Sequence, residues 1–371
     1  MKRCIFHYLH PIDDKPGIGS ALRPNRMLEA FRKIGYEVDV ITGYSTERRE
    51  QIRQVKQNIR NGIQYDFVYS ESVNEPTALS DADHIPRHPF MDFTFLRFCR
   101  KRGIPVGLFY RDMHWKFPVY RNNVSCLKQM ITLPLFRWDL CMYRKCVDTL
   151  FVPSEAFGKL VPHENKVPLP PGGQLFSKDE LQPIKKDAEE KLHILYVGNV
   201  LGVYDVMQFC KAVSQVEGIE LTICTPKQSW DKAKQRYEPF LCDRIHIVHK
   251  SGAQLQPHYQ EADFFCCCLE ANEYTRLAMP IKTFESIGYG VPVMITQGIA
   301  AAELIKEADC GWVVDNSAES FKEVLLYLQK NLQDIEIKTK NVLAIAVNHT
   351  WENRANKVSK VLLARKEKEK L

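Results

Sequence analysis

Short apolar runs alternate with amphipathic helical periods along nearly the whole chain, and this alternation decides what it can fold into. In the first half, strands are predicted at Cys4–Leu9, Glu37–Thr42, Asp66–Ser70, Pro105–Tyr110 and Thr149–Val152. Helical periods fall between them at Ala21–Ile34, Glu47–Arg60, Asp92–Arg102 and Leu127–Cys146. Several strand runs are apolar at consecutive positions, as expected when both faces are covered. Strands separated by helices imply a parallel sheet wound by right-handed crossovers.

The pattern breaks at Ser177-Lys178-Asp179-Glu180-Leu181-Gln182-Pro183-Ile184-Lys185-Lys186-Asp187, a polar, proline-interrupted stretch that reads as a linker. It then restarts, with strands predicted at His193–Val197, Glu220–Cys224, Ile245–Val248, Phe264–Leu269, Val291–Ile295 and Trp312–Val314. Helices are predicted at Val206–Val216, Trp230–Phe240, Leu255–Glu261, Lys282–Ile287, Ala300–Lys306 and Ala318–Asn331, with a last helical region from Trp351 onward. At 371 residues, two domains are expected. The organisation reads as two doubly wound, Rossmann-like parallel-sheet domains facing across a cleft. An N-terminal domain covers 1–175, a linker 176–190, a second domain 191–350, and 351–371 is a closing helix.

Composition excludes several alternatives. Apolar residues make up 45% and charged residues 26%, which excludes a wholly disordered chain. No uncharged apolar run approaches the roughly 18 residues needed to span a bilayer. The opening Met1–His7 is too short in apolar residues for a signal peptide, so a cytoplasmic chain is expected. The twelve cysteines show no CxxC spacing and read as reduced, mostly buried thiols. In that setting, Asn123-Val124-Ser125 and Asn348-His349-Thr350 read as chance matches to the N-glycosylation pattern.

The net charge of +6 is uneven: residues 1–185 hold 28 Lys and Arg against 20 Asp and Glu. Arg49, Arg53, Lys56 and Arg60 recur at helical spacing on one face. Such a face suits anionic lipid headgroups, and an ordinary solvated face gives the same pattern. Leu127–Trp138 adds apolar and aromatic residues able to dip into a membrane interface, or to face the core in a helix kinked at Pro134. No nucleic-acid motif accompanies the charge, so nucleic acid is not an expected partner.

Ligands of doubly wound sheets bind beyond the carboxyl ends of the strands. Four stretches fall there. Gly17 and Gly19 lie between the first strand and first helix, where glycine lets backbone approach an anion closely. Asp112 and His114 follow the fourth strand and can carry protons or hydrogen bonds. Gly198 and Asn199 end the first strand of the second half. Most specific is Pro280-Ile281-Lys282-Thr283-Phe284-Glu285, at a predicted helix start. Lys282 there opposes the helix dipole, which points to an anionic ligand. Glu285, one turn on, can accept both hydroxyls of a ribose.

Together these residues resemble the GT-B glycosyltransferases, in particular the retaining family 4 (glycosyltransferase group 1). The resemblance rests on Gly17–Thr42, with Gly35-Tyr36-Glu37-Val38-Asp39-Val40-Ile41-Thr42 at its end, and on His114. It rests further on Pro280–Glu285 with Gly290-Val291-Pro292-Val293, and on Trp351-Glu352-Asn353-Arg354-Ala355. It implies a metal-independent, retaining transfer from a nucleoside-diphosphate sugar, with no cofactor, to a glycan or lipid-linked acceptor. That would be a step of polysaccharide biosynthesis in the cytoplasm, peripheral on the inner face of the cytoplasmic membrane. It implies donor contacts by Gly17, Gly19, Gly198, Asn199, Arg276, Lys282 and Glu285, and places His114 and Asp112 near the reacting carbon. The closing helix would cross back to the first domain. The chain departs from the family at Asn199 and Tyr204, where an Arg and a Lys are usual. It departs also at Leu277, where the first of two glutamates is usual, and at Trp115, which stands for an Asp. Lys282 and Arg276 are the candidates to supply the missing positive charge. Two other readings remain: a non-catalytic relative that binds a sugar nucleotide or a partner enzyme, and a sugar-nucleotide epimerase.

Overall fold

The computed structural model describes residues 2–12, 19–176 and 191–368. The chain divides into two compact units, Met1–Pro170 with Trp351–Leu371, and Pro171–Thr350. The division falls at Pro170, ahead of the expected 175. Most of the expected linker, 177–190, lies outside the described residues, as does Gly17.

The first unit runs β1 (Arg3–Tyr8), α1 (Gly19–Lys33), β2 (Glu37–Ile41), α2 (Ser45–Arg60), β3 (Phe67–Glu71), α3 (Met91–Lys101) and β4 (Val106–Phe109). It continues with α4 (Pro118–Asn123), α5 (Cys126–Cys146), β5 (Thr149–Val152), α6 (Glu155–Leu160) and β6 (Lys166–Pro168). All pairings are parallel, in the order β2-β1-β3-β4-β5-β6. The strand order reverses between β1 and β3. The core is aromatic: Phe6, Phe31, Phe67 and Tyr69 are fully buried, with Phe31 5.2 Å from Tyr69 and 5.6 Å from Phe67 between ring centroids.

The C-terminal helix, Trp351–Lys368, packs on this first unit. Tyr36 Oη lies 2.7 Å from Ser359 Oγ, and Lys366 Nζ donates to the Tyr65 carbonyl at 2.8 Å. Gly107 makes the fit: a Cβ there would come within 2.9 Å of Leu362 and 2.6 Å of Phe151.

The second unit runs β7 (Leu192–Val197), α7 (Met207–Ser214), β8 (Ile219–Cys224), α8 (Lys227–Tyr237), β9 (Ile245–Val248), α9 (Gln256–Glu261) and β10 (Phe264–Cys267). It continues with α10 (Ile281–Gly288), β11 (Val293–Thr296), α11 (Ala300–Glu307), β12 (Gly311–Val314), α12 (Ala318–Lys330) and α13 (Leu332–Ala346). This sheet is also parallel, in the order β12-β11-β10-β7-β8-β9, and reverses between β10 and β7. Its entering segment lies against α10: Gly173 N donates to His349 O at 2.7 Å. A Cβ on Gly173 would sit 2.2 Å from the Phe284 carbonyl oxygen, and one on Gly288 would sit 2.3 Å from that of Gln174.

Several strand bounds need correction, among them the expected Val291–Ile295, which is observed as Val293–Thr296. The third strand of the first unit starts at Phe67 and extends to Glu71, not Asp66–Ser70. β10 stops at Cys267 although the apolar run continues to Leu269, because Leu269 N turns to Thr296 Oγ1 at 3.0 Å. Nine of the twelve cysteines are buried and all are free thiols. No helix among the described residues is long and apolar enough to cross a membrane.

Candidate functional site

In a parallel sheet the loops leaving the carboxyl ends gather on one edge, and a crevice opens where the strand order reverses. In the second unit that point lies between β7 and β10. The two loops are tied there, with Glu270 N donating to Val203 O at 3.2 Å. Gly198 follows β7 directly, and a Cβ on it would meet Tyr196 Oη at 3.0 Å. Asn199 is exposed, and its Oδ1 accepts from the amides of Val200 at 2.8 Å and Leu201 at 3.1 Å. Its amide oxygen therefore shapes the turn.

After β10 the chain makes a short turn at Thr275–Leu277, pinned by Asn272 Oδ1, which accepts from the amides of Tyr274 and Thr275. Leu277 is buried and Arg276 beside it is exposed. Pro280 then caps α10 with φ −64, so the helix begins as its missing N–H permits. Lys282 Nζ donates to Glu285 Oε2 at 2.6 Å, and both side chains are partly exposed. Tyr259 Oη donates to the same Glu285 oxygen at 3.4 Å. Burial, and then the Glu285 charge, push the Tyr259 phenol well above its ordinary range, so it remains a donor. Its ring stacks on Tyr289 at 4.4 Å, and Tyr289 stacks on Phe176 at 4.0 Å.

The end of β8 adds polar groups that the sequence reading missed. Thr225 is 1% exposed and its hydroxyl has no hydrogen-bond partner. Burial raises the adjacent Cys224 thiol, against the Lys250 carbonyl bond and the charges of Lys282 and Lys250. The two ammonium groups therefore lie within electrostatic reach of the same strand end. The one available signal was the polar Thr225-Pro226 step closing an apolar strand run.

In the first unit, Asp112 and His114 lie together on the loop after β4. Asp112 Oδ1 accepts from the His114 amide at 3.0 Å, and Oδ2 stands 3.5 Å from Nδ1. The imidazole is walled by the edges of Tyr120 and Phe136, with centroids at 5.2 and 5.8 Å. Nδ1 is buried without a hydrogen bond. Trp115 is a core residue, 4% exposed and stacked on Phe136 at 5.3 Å. Gly19 opens α1.

Residues 191–331 match the family model described as glycosyl transferases group 1. No curated protein sequence matches the chain. Solved structures do. Sucrose-phosphate synthase from Thermosynechococcus elongatus aligns with a TM-score of 0.66 at 12% identity, covering 97% of this chain and 98% of that one. Anabaena HepE, in complex with UDP and glucose, aligns with a TM-score of 0.64 at 12% identity, covering 98% of this chain and 100% of that one. WaaG, a glycosyltransferase involved in lipopolysaccharide biosynthesis, aligns with a TM-score of 0.58 at 14% identity, covering 98% of this chain and 99% of that one. The chain thus has the fold of the GT-B glycosyltransferases, and its residues 191–331 match the model for glycosyl transferases group 1.

Proposed function

We propose that this chain transfers a sugar from a nucleoside-diphosphate sugar to a glycan or lipid-linked acceptor, retaining the anomeric configuration. The observation that carries the reading is the Lys282–Glu285 pair at the opening of α10. It lies beside the strand-order reversal of a sheet inside the matched domain. The carboxylate is an acceptor for ribose hydroxyls, and the ammonium is a cation for the diphosphate. On binding, their mutual bond is exchanged for bonds to ligand. Tyr259 keeps Glu285 oriented through that exchange. HepE, which shares the fold, is described with UDP and glucose bound.

The chemistry demands stabilisation of an oxocarbenium-like centre and of a departing diphosphate. Lys282, Arg276 and the backbone N–H groups around Gly198 and Gly19 supply the second, without a metal or cofactor. His114 and Asp112 are assigned to the donor sugar near the reacting carbon. Asp112 holds the backbone at His114 through the amide bond and keeps a carboxylate oxygen 3.5 Å from Nδ1. Titration with a panel of nucleotide sugars, followed by incubation with and without acceptors, tests the reading. It fails if no nucleotide sugar binds or is consumed.

A non-catalytic binding role is favoured by one observation, the commitment of Asn199 to its own turn where the family grips diphosphate. Turnover lost in Lys282→Ala and Glu285→Ala would exclude it. Release of an altered sugar without acceptor would instead indicate an epimerase.

A membrane-borne acceptor is supported by α5, whose Leu127, Met130 and Ile131 are 71%, 74% and 55% exposed. Beside them, Lys116, Arg121, Arg137 and Arg144 line a cavity of about 400 Å³. An apolar helix surface next to clustered cations suits anionic headgroups. We extend that reading to peripheral attachment at the inner face of a cytoplasmic membrane.

A further inference from the structure

The recess beside α5 has the form of a ligand site. Its volume of about 400 Å³ falls within the roughly 300–1,000 Å³ of small-molecule sites. One wall comes from α5, where Arg137, Leu140, Cys141 and Arg144 recur at helical spacing and share a face. Lys116 joins from the segment after β4, and Arg121 from α4. Trp115 also lines the cavity and stacks on Phe136, whose ring meets that of His114 edge-on. One aromatic layer thus joins the cavity wall to the loop that carries Asp112 and His114.

The charges around this recess are all of one sign. Among the described residues no acidic side chain lines it. The side chains of Arg121, Arg137 and Arg144 are exposed and make no hydrogen bond or ion pair among the described residues. Exposed arginines elsewhere do find carboxylates: Arg26 meets Glu29 at 3.1 Å, Arg53 meets Glu50 at 3.1 Å and Arg236 meets Asp205 at 2.6 Å. Lys116 Nζ donates to the Leu160 carbonyl at 3.2 Å and lies 5.8 Å from the Trp115 ring centroid. Burial pulls its ammonium below the ordinary range. Like charges around one recess repel, and an anion that enters relieves the repulsion.

We infer that this cavity binds a multiply charged phosphoryl group, a phosphate monoester or a diphosphate. Cations facing no carboxylate favour such an anion over a carboxylate or a phosphodiester, each of which carries a single charge. The guanidinium forks suit its oxygens. The apolar lining from Trp115 and Leu140 accommodates the group that bears it. A flat basic face is enough to hold a protein on a bilayer, whereas a recess also selects by size and charge. The assignment of this phosphoryl group to the acceptor rests on the transferase reading above, in which the donor belongs to the second unit.

Cys141 supplies the readout, because its exposed thiol lines the cavity, whereas the exposed Cys126 at the start of the same helix lies outside it. The full chain is labelled with iodoacetamide, with and without pyrophosphate, and both thiols are followed by mass spectrometry. Pyrophosphate should slow labelling of Cys141 at least about fivefold and leave Cys126 within about twofold. The concentration for half protection should rise roughly tenfold or more in Arg137→Gln and in Arg144→Gln, and stay within about twofold in Lys282→Gln. Circular dichroism checks the fold of each variant, and either arginine variant alone carries the test if the other does not fold. Absent protection of Cys141, equal protection of Cys126, or acetate protecting as well as pyrophosphate overturns the inference. So does protection that survives in a folded arginine variant or that follows Lys282. Geranyl diphosphate and a hexose 1-phosphate then tell a lipid-borne from a soluble phosphoryl group, and either supports the inference if the arginine variants weaken it. Protection by phosphatidylglycerol vesicles alone overturns it in favour of a plain membrane contact. If nucleotide sugars bind and pyrophosphate leaves Cys141 unprotected, the inference falls and the transferase reading stands. If pyrophosphate protects through the arginines and no nucleotide sugar binds or is consumed, the cavity site stands. The transferase reading then falls, and with it the assignment to an acceptor.

Discussion

Glu285 is held from two sides, by Lys282 one turn earlier on its own helix and by the phenol of Tyr259 from α9. Its position is fixed before any ligand arrives. Removing either charged member deletes a charge-assisted contact worth roughly 1.5–3 kcal/mol. Nucleotide-sugar affinity should therefore fall about 10- to 100-fold in Glu285→Ala and in Lys282→Ala, measured by calorimetric titration. Tyr259→Phe, which removes a longer bond to an oxygen still paired with Lys282, should cost well under tenfold.

A second arrangement concerns stability alone. Asp92 is buried and bonded by His7 Nε2 at 2.9 Å and by Arg48 through Nε at 3.0 Å and Nη2 at 3.1 Å. Burial alone would raise its carboxyl, but His7 and Arg48 outweigh that and hold it at about 2. Its stabilising contribution is present above the unfolded-state value and is lost as pH falls through the folded one. Arg48→Met leaves a buried carboxylate without its cation and should destabilise the fold by about 3–5 kcal/mol in urea titration at neutral pH. That loss should shrink toward pH 2, where the carboxylate protonates.

Asp139 in α5 has the opposite sign. Burial pushes its carboxyl up to about 7, against the Thr77 amide and hydroxyl bonds, and the Asp92 charge adds to the rise. The unfolded chain gives up this proton near pH 4 while the folded one keeps it. Stability should fall as pH rises from about 4 to 7, by at most roughly 4 kcal/mol, and level off above. In Asp139→Asn that slope should be absent, which melting temperatures across the range would show.

The surface of α5 gives the fourth prediction. Replacing Leu127, Met130 and Ile131 together by serine removes exposed apolar area and touches little of the core. Retention on vesicles containing phosphatidylglycerol should fall about tenfold or more, with the melting temperature nearly unchanged. Equal retention of the variant would remove the membrane reading.

Much of the fold was legible because consecutive apolar runs and helical periods do not resemble each other. Most predicted strands and helices lie within two or three residues of the observed ones. The misses have physical reasons. β6 is a three-residue edge strand ending in Pro168, too short to leave a pattern. α13 follows α12 across Asn331 alone, with no side-chain cap bond to mark its start. α4 and α6 have six residues each, below a useful period. The Lys282–Glu285 pair was readable because its members are one turn apart. The meeting of Arg23 and Arg111 at Glu71 was not, because only the folded chain brings α1, the end of β3 and the loop after β4 together. Tyr259 was hidden likewise, because its bond to Glu285 spans 26 residues and depends on how α9 and α10 lie in the fold.

The bond from Gly173 to His349 fastens the incoming and outgoing segments of residues 171–350 side by side. A segment whose two ends meet can be lifted out and set into another host without stretching either partner. These residues should express as a self-sufficient cassette, and under the proposed transferase function grafting them between related chains would exchange sugar-nucleotide preference while the recipient keeps its own acceptor.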